Sequence, residues 1–218
     1  MNSLDRADSE ALVANLHSVD CVTLIENVLA LARCIKSNHL SFDFYSKELQ
    51  RIRYRSGTIR GYTSRLHYFT DWIRDNEQKG ILKDMTKGAG GIPYPKRIDF
   101  MSTHRDAYPK LRNDSDYASI CAIESQLAHD TLFYLPKSAL GAHLSSIKSG
   151  DIIAITTKES GLDVSHTGIA IRLDDGSLHL LHAPNVGERV KISEESLVSY
   201  IQKHRQDTGI LILRVREP

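Results

Sequence analysis

One cysteine and two histidines are the residues of this 218-residue chain best suited to covalent chemistry. Cys21 follows Asp20 at the start of a segment with helical apolar spacing, which predicts a thiol in the first helical turn with Asp20 as N-cap. A helix N-terminus lowers the pKa of a thiol, so we expect a depressed pKa for Cys21. The backbone N–H of Cys21, which has no partner within a helix, could also stabilise an oxyanion.

The two histidines lie on successive predicted strands. Alternation places His166 on one face with Gly168 and Ala170, whose small side chains would let a thiol-bearing helix end approach closely. A short turn at 174–176 would bring His182 within about one to three residues of the position opposite His166, where facing side chains stand about 5 Å apart. A thiol, a histidine that takes its proton and a group that orients this histidine together make a cysteine nucleophile.

The remaining cysteines, Cys34 and Cys121, have no predicted chemistry. The total of three is odd and contains no C-x-x-C pair, which favours neither a disulfide framework nor a four-thiolate zinc site. Cys34 is rotated by about 220° from Cys21 along the helix, so we interpret it as a packing residue. The apolar face of this helix is predicted at positions 21, 24, 25, 28, 29, 32 and 35.

The elements that must position these residues form one α+β domain. Residues 1–36 carry the cysteine helix, predicted over 20–36, residues 37–148 have a mixed pattern, and residues 149–218 form an antiparallel sheet with the histidines. The other predictions are helices over 64–79 (ended by Gly80), 115–129 and 193–206 (opened by Ser193), a loop over 88–95, and strands over 152–157, 166–172, 178–183, 189–192 and 210–215.

Composition excludes several classes of protein. The chain is 41% hydrophobic and 25% charged, as in ordinary globular proteins. With 28 Lys and Arg against 27 Asp and Glu, no general field attracts nucleic acid or an anionic membrane. No apolar run approaches the roughly 20 residues of a membrane span. The first thirty residues lack an export signal.

Four motifs, taken in order, resemble the NlpC family of papain-like peptidoglycan hydrolases. They are Asp20-Cys21, Gly150-Asp-Ile152, His166-Thr-Gly-Ile-Ala170 and Leu181-His-Ala-Pro184. Further segments resemble one branch of that family, which was first catalogued as a domain of unknown function and is now associated with N-acetylmuramoyl-L-alanine amidase activity; they are 12–16, 20–26, 53–54, 64–69, 100–102 and 161–166. The resemblance runs from about residue 9 to the end.

The resemblance implies a papain-like core with a cysteine mechanism that needs no metal or cofactor. Cys21 would be the nucleophile, His166 the general base and later acid, and His182 the residue that orients His166. The scissile amide would join the lactyl group of N-acetylmuramic acid to L-alanine in a small muropeptide. Residues 37–148 exceed a minimal core, so we assign them to specificity.

Five residues are predicted to bind substrate. Stem peptides carry carboxylates, which guanidinium groups grip bidentately, so we place Arg65 with His67 and Tyr68 in the pocket; packing is the alternative. Asp20 matches a position that contacts a free amine in related peptidases, but an amidase substrate has no such amine, which leaves the N-cap as its alternative role. Ser165, in the matched histidine motif, is the fifth.

Muropeptides or peptidoglycan fragments are therefore the expected partners of a monomeric protein that binds no nucleic acid. Periplasmic or envelope localisation follows from the substrate alone. Relatives carry a Gly/Pro/Tyr-containing segment ahead of the motif that begins near Leu4, so we expect either a trimmed chain or a missing part of the pocket wall.

Three alternative functions remain open. The first is a cysteine endopeptidase that cuts between D-glutamate and the diamino acid of the stem. The second is a zinc amidase using some of the ten histidines, for which H-E-x-x-H is missing and strand alternation separates His179 from His182. The third is a wall-binding module without catalysis, disfavoured because all three catalytic positions are filled.

Overall fold

A computed structural model describes residue 4, residues 9–185 and residues 188–218. Within these ranges the chain is a mixed α+β structure, in which helices pack on an antiparallel sheet. Its helices are α1 Cys21–Lys36, α2 Phe42–Arg53, α3 Phe69–Gln78, α4 Phe100–Thr103, α5 Asp114–Leu127 and α6 Leu197–Lys203. Its strands are β1 Leu82–Asp84, β2 Ile92–Pro93, β3 Phe133–Pro136, β4 Ile152–Thr157, β5 Val164–Arg172, β6 Leu178–His182, β7 Lys191–Ile192 and β8 Asp207–Val215.

The strands pair in the order β2-β3-β8-β4-β5-β6-β7, with β1 also on β8, and every pairing is antiparallel. The predicted strands are confirmed, with ends that differ by at most three residues. The hairpin is confirmed as well, since Arg172 pairs with Leu178 around the turn. Within the described ranges, no helix has the length and apolarity needed to cross a membrane.

Helix α1 begins and ends where the sequence predicts. The Asp20 carboxylate accepts a hydrogen bond from the Thr23 backbone N–H at 2.8 Å, and the Thr23 hydroxyl accepts one from the Asp20 N–H, so the helix opens with a capping box.

The predicted apolar face of α1 is wrong at several positions. Val28 and Ile35 are 37% and 68% exposed, whereas the polar residues Glu26, Asn27 and Arg33 are buried. These polar groups can be buried because partners from α2 meet them: Arg53 contacts Glu26 at 2.7 Å, Glu48 pairs with Arg33, and Tyr45 donates to Asn27. The packing role of Cys34 is confirmed, since it is 4% exposed in the same core.

Helix α3 begins five residues later than predicted. The preceding residues 65–68 are extended because Arg65 forms a β-bridge with Tyr54 and Leu66 donates to the Arg53 carbonyl. A distant carboxylate caps the helix instead, as Asp163 accepts the Thr70 N–H at 2.7 Å. Gly80, at φ 71°, follows the helix as predicted.

The other predicted elements need smaller corrections. Helix α5 is confirmed within two residues. Helix α6 is shorter than predicted: its N-cap is Ser196, because the Ser193 hydroxyl instead accepts from the Leu180 N–H and donates to the Glu195 carbonyl. The predicted loop over 88–95 contains the two-residue strand β2.

The sheet has a different core on each face. On one face, Ile169 packs with Ile25 and Leu29 of α1. On the other, Ala170 packs with Leu180 of β6 and with α6. Because residues alternate along β5, His166 lies on the face opposite to α1.

The buried Glu26–Arg53 pair gives a test of how α1 is held. Arg53→Met leaves a carboxylate that is 3% exposed without its cation, so we expect a loss of about 3–5 kcal/mol in unfolding free energy, measured by urea denaturation. The matched control is Lys36→Met, which removes an exposed ion pair with Glu217 and should change stability little. Equal effects of the two substitutions would contradict this account.

Candidate active site

His166 and His182 form a direct hydrogen bond. The distance from His166 Nε2 to His182 Nδ1 is 2.8 Å, and the ring planes are nearly perpendicular at 82°. The register that pairs Ile169 with Leu181 would set residue 184 opposite His166. His182 is therefore two residues from the opposite position, within the predicted range, and the two rings meet on a diagonal of the same sheet face.

The start of α1 lies against β5 beside these histidines. The Thr167 hydroxyl donates to the Cys21 carbonyl at 2.8 Å, which joins the first residue of the helix to the neighbour of His166. Among the described residues, no hydrogen bond links the Cys21 thiol to His166, and none accepts the Cys21 backbone N–H. Unliganded sites often have catalytic hydrogen bonds that tighten only with substrate.

The prediction that small residues beside His166 let the cysteine helix approach on that face is wrong. Gly168 lies on the His166 face, where a Cβ atom would stand 2.6 Å from Leu180 Cδ1. The absence of a side chain at Gly168 therefore makes room for Leu180. Helix α1 instead approaches from the opposite face through Thr167.

The thiol and the imidazole are both held in their uncharged forms. Burial raises the pKa of Cys21, and the nearby Asp20 charge raises it further, although hydrogen-bonding groups of Thr167 oppose this. Burial, followed by the neighbouring His182, lowers the pKa of His166 to about 4. The expected depression of the Cys21 pKa is therefore wrong for the free protein, because desolvation outweighs the helix dipole.

His182 is more deeply enclosed than His166. It is 2% exposed, and its Nε2 atom has no hydrogen-bond partner among the described residues. The Tyr200 ring lies beside the pair, 5.3 Å from the His182 centroid and 6.4 Å from that of His166. Sequence reasoning missed Tyr200 and Thr167, since neither a tyrosine on a short helix nor a strand threonine signals a role.

The predicted arginine pocket is occupied by internal contacts. Arg65 is buried and its Nε atom lies 3.2 Å from a Glu10 carboxylate oxygen. The Tyr68 hydroxyl donates to Glu124 at 2.7 Å and accepts the Met101 N–H at 2.7 Å. Together these contacts favour the packing alternative for both side chains.

His67 has similar surroundings. Its Nε2 atom lies 2.9 Å from the Tyr62 carbonyl, and its ring centroid lies 4.3 Å from that of Tyr62. These contacts also favour packing over contact with substrate.

The last two predicted binding residues are solvent-exposed. Asp20 serves as the N-cap described above. Ser165 lies at a register shift between β4 and β5, and its hydroxyl is 3.3 Å from the Ile155 carbonyl and 3.2 Å from Asp207 Oδ1. Both side chains flank the residues that carry the candidate chemistry.

The zinc alternative has no supporting geometry. Across residues 9–185 and 188–218, no three His, Cys, Asp or Glu side chains form a group that could hold a metal ion. His179 contacts the Ser193 carbonyl and the Ser177 hydroxyl, at 2.8 and 3.0 Å, whereas His182 faces His166.

Comparison with solved structures identifies similar bacterial proteins. An N-acetylmuramoyl-L-alanine amidase from Bacteroides uniformis ATCC 8492 is 40% identical, with a TM-score of 0.92 over 99% of this chain and 91% of that one. A protein described as a candidate xylanase from Bacteroides fragilis is also 40% identical, with a TM-score of 0.91 over 98% and 94%. A protein from Legionella pneumophila, 23% identical with a TM-score of 0.64 over 91% and 77%, has the same fold. No curated protein is significantly similar in sequence.

A family model described as N-acetylmuramoyl-L-alanine amidase-like matches residues 1–210. The chain therefore belongs to this AmiA-like family. The resemblance to amidases noted in the sequence is confirmed at this level.

The charge state of the thiol can be measured directly. We expect the pH profile of iodoacetamide alkylation at Cys21 to have its midpoint above the value of about 8.5 for a free cysteine, because burial raises the pKa. The Cys21→Ala variant, treated in parallel, supplies the background from Cys34 and Cys121. A midpoint below that of free cysteine would instead indicate a thiolate paired with a charged imidazole.

Proposed function

We propose that this protein is a cell-wall amidase that cleaves the bond between N-acetylmuramic acid and L-alanine by a Cys-His-His mechanism of the papain-like NlpC type. The observation that carries the proposal is the 2.8 Å hydrogen bond between His166 and His182 beside the cysteine that opens α1. Membership of the amidase-like family supports the substrate class.

In the proposed reaction the Cys21 thiol and the His166 imidazole both start in their uncharged forms. His166 Nδ1 takes the proton from Cys21 Sγ as the sulfur attacks the amide carbonyl carbon. The negative charge that develops on the carbonyl oxygen is stabilised by the backbone N–H of Cys21, which is available in the first turn of α1. His182 Nδ1 accepts the Nε2–H of His166 and keeps that ring in orientation.

Collapse of the tetrahedral intermediate then breaks the carbon–nitrogen bond. His166 gives its proton to the leaving amine of L-alanine, and a thioester to the lactyl carbonyl remains on Cys21. A water molecule, deprotonated by His166, attacks the thioester and releases the lactyl carboxylate of N-acetylmuramic acid. The thiol recovers its proton from His166, which restores the starting state.

We further propose that residues 37–148 set specificity for small muropeptides, and that the protein acts as a monomer in the periplasm or cell envelope. These proposals go beyond the family assignment, which by itself concerns only the amidase-like class. The endopeptidase alternative uses the same thiol chemistry, so only the products separate it from the amidase.

The decisive experiment is mass spectrometry of purified muropeptides incubated with the protein. We expect free N-acetylmuramic acid and an intact stem peptide, with the activity lost in Cys21→Ala and retained in the matched control Cys121→Ser. Cleavage within the stem would favour the endopeptidase. Full activity in Cys21→Ala would overturn the cysteine mechanism, and sugar release from xylan would point to the activity suggested for the Bacteroides fragilis protein.

The pH dependence of kcat/KM gives a second test. Only neutral His166 can accept the thiol proton, so activity should fall as the pH drops through about 4, the lowered pKa of that imidazole. Circular dichroism at each pH checks that the protein stays folded. An acidic limb near 6.5, the ordinary histidine value, would mean that His166 is not buried during catalysis.

A further inference from the structure

Tyr200 covers the histidine pair from the face of the sheet opposite to α1. Its ring is nearly perpendicular to that of His182, at 88° with centroids 5.3 Å apart, which is an edge-to-face geometry. Leu197 and Ile201 of the same helix are fully buried against β6 residues such as Leu180, so the ring stands on a rigid support.

The buried Nε2 atom of His182 poses a hydrogen-bonding problem. It has no partner among the described residues, although His182 is only 2% exposed. Buried polar atoms are usually satisfied, so a group of another kind should meet this nitrogen. The Tyr200 ring is an aromatic neighbour of the His182 ring, with centroids 5.3 Å apart, and an aromatic face is negative enough to receive an N–H group.

The proton positions on the pair decide whether His166 can act as a base. A neutral imidazole has one N–H and one bare nitrogen. If His166 donates its Nε2–H to His182 Nδ1, then His166 Nδ1 is bare and His182 carries a proton on Nε2. If the direction is reversed, His166 Nδ1 is already protonated and His182 Nε2 is bare.

An aromatic face discriminates between these two states. It attracts an N–H but repels the lone pair of a bare nitrogen, since the centre of the ring is electron-rich. Tyr200 would therefore favour the state in which His182 Nε2 is protonated. In that state His166 Nδ1 is free to accept a proton from Cys21.

We propose that Tyr200 is a positioning residue whose ring face receives the Nε2–H of His182 and thereby selects the tautomers in which His166 can act as the base. The catalytic part of this inference rests on the proposed function. The tautomer part concerns the free protein and can be tested without substrate.

The experiment compares Tyr200→Phe, which keeps the aromatic face, with Tyr200→Leu, which removes it. Long-range proton–nitrogen correlation NMR on protein labelled with ¹⁵N-histidine reports which nitrogen of each ring carries the proton. In the wild type and Tyr200→Phe we expect protons on Nε2 of both His166 and His182. In Tyr200→Leu we expect a mixture of both states.

Activity should follow the tautomers. We expect Tyr200→Phe to keep wild-type kcat and Tyr200→Leu to lose kcat in proportion to the fraction of protein that NMR finds in the unproductive state, about twofold for an equal mixture, with little change in KM. The control Phe42→Leu removes an aromatic ring that is 70% exposed on α2 and should alter neither readout. Circular dichroism checks that each variant is folded.

Two results would overturn the proposal. Unchanged tautomers in a folded Tyr200→Leu variant would mean that the ring does not select them. Equal loss of kcat in Tyr200→Phe would assign the effect to the hydroxyl group. Failure of the cysteine mechanism itself would appear separately, as retained activity in Cys21→Ala with the tautomer results unaffected.

Discussion

The 2.8 Å hydrogen bond between two imidazoles constrains most of the surrounding structure. The two rings meet because the β5–β6 register, which pairs Ile169 with Leu181, makes His182 a diagonal neighbour of His166 just beyond the last paired residues. Both histidines must also face the same side of the sheet, which the alternation along each strand ensures. A shift of one residue in this hairpin would turn one ring to the opposite face.

The candidate site is assembled from both sides of the sheet. Helix α1 packs on one face and brings Cys21 to β5 through Thr167, whereas the histidines and Tyr200 belong to the other face. The two groups of residues meet next to the end of the β5–β6 pairing. Each packed layer therefore contributes a different part of the chemistry, and the sheet sets their separation.

One electrostatic rule governs both the core and the site. Charged groups can be buried where an opposite charge and hydrogen bonds replace water, as with Glu26 and Arg53 at 2.7 Å. Among the residues that the structure describes, Cys21 and His166 have no buried counter-ion of this kind, so burial favours their uncharged forms. The same desolvation makes the thiol a weaker acid and keeps the His166 imidazole neutral.

Local patterns in the sequence determined much of the fold. Apolar spacing and the Asp20 N-cap predict α1 at both ends, and β-branched alternation predicts β4, β5, β6 and β8, because these signals depend on neighbouring residues. The same alternation predicts that His166 and His182 share a face. The motifs around these residues predict the amidase-like family.

Tertiary structure decided what neighbours in sequence cannot specify. Arg53 and Glu48 come from another helix, so the burial of Glu26 and Arg33 is invisible in the spacing of α1. The pKa of Cys21 depends on how deeply the helix end is buried, which reverses the effect expected from the helix dipole alone. Tyr200 reaches the histidine pair only through the packing of α6, because contacts between distant segments depend on how the whole chain folds.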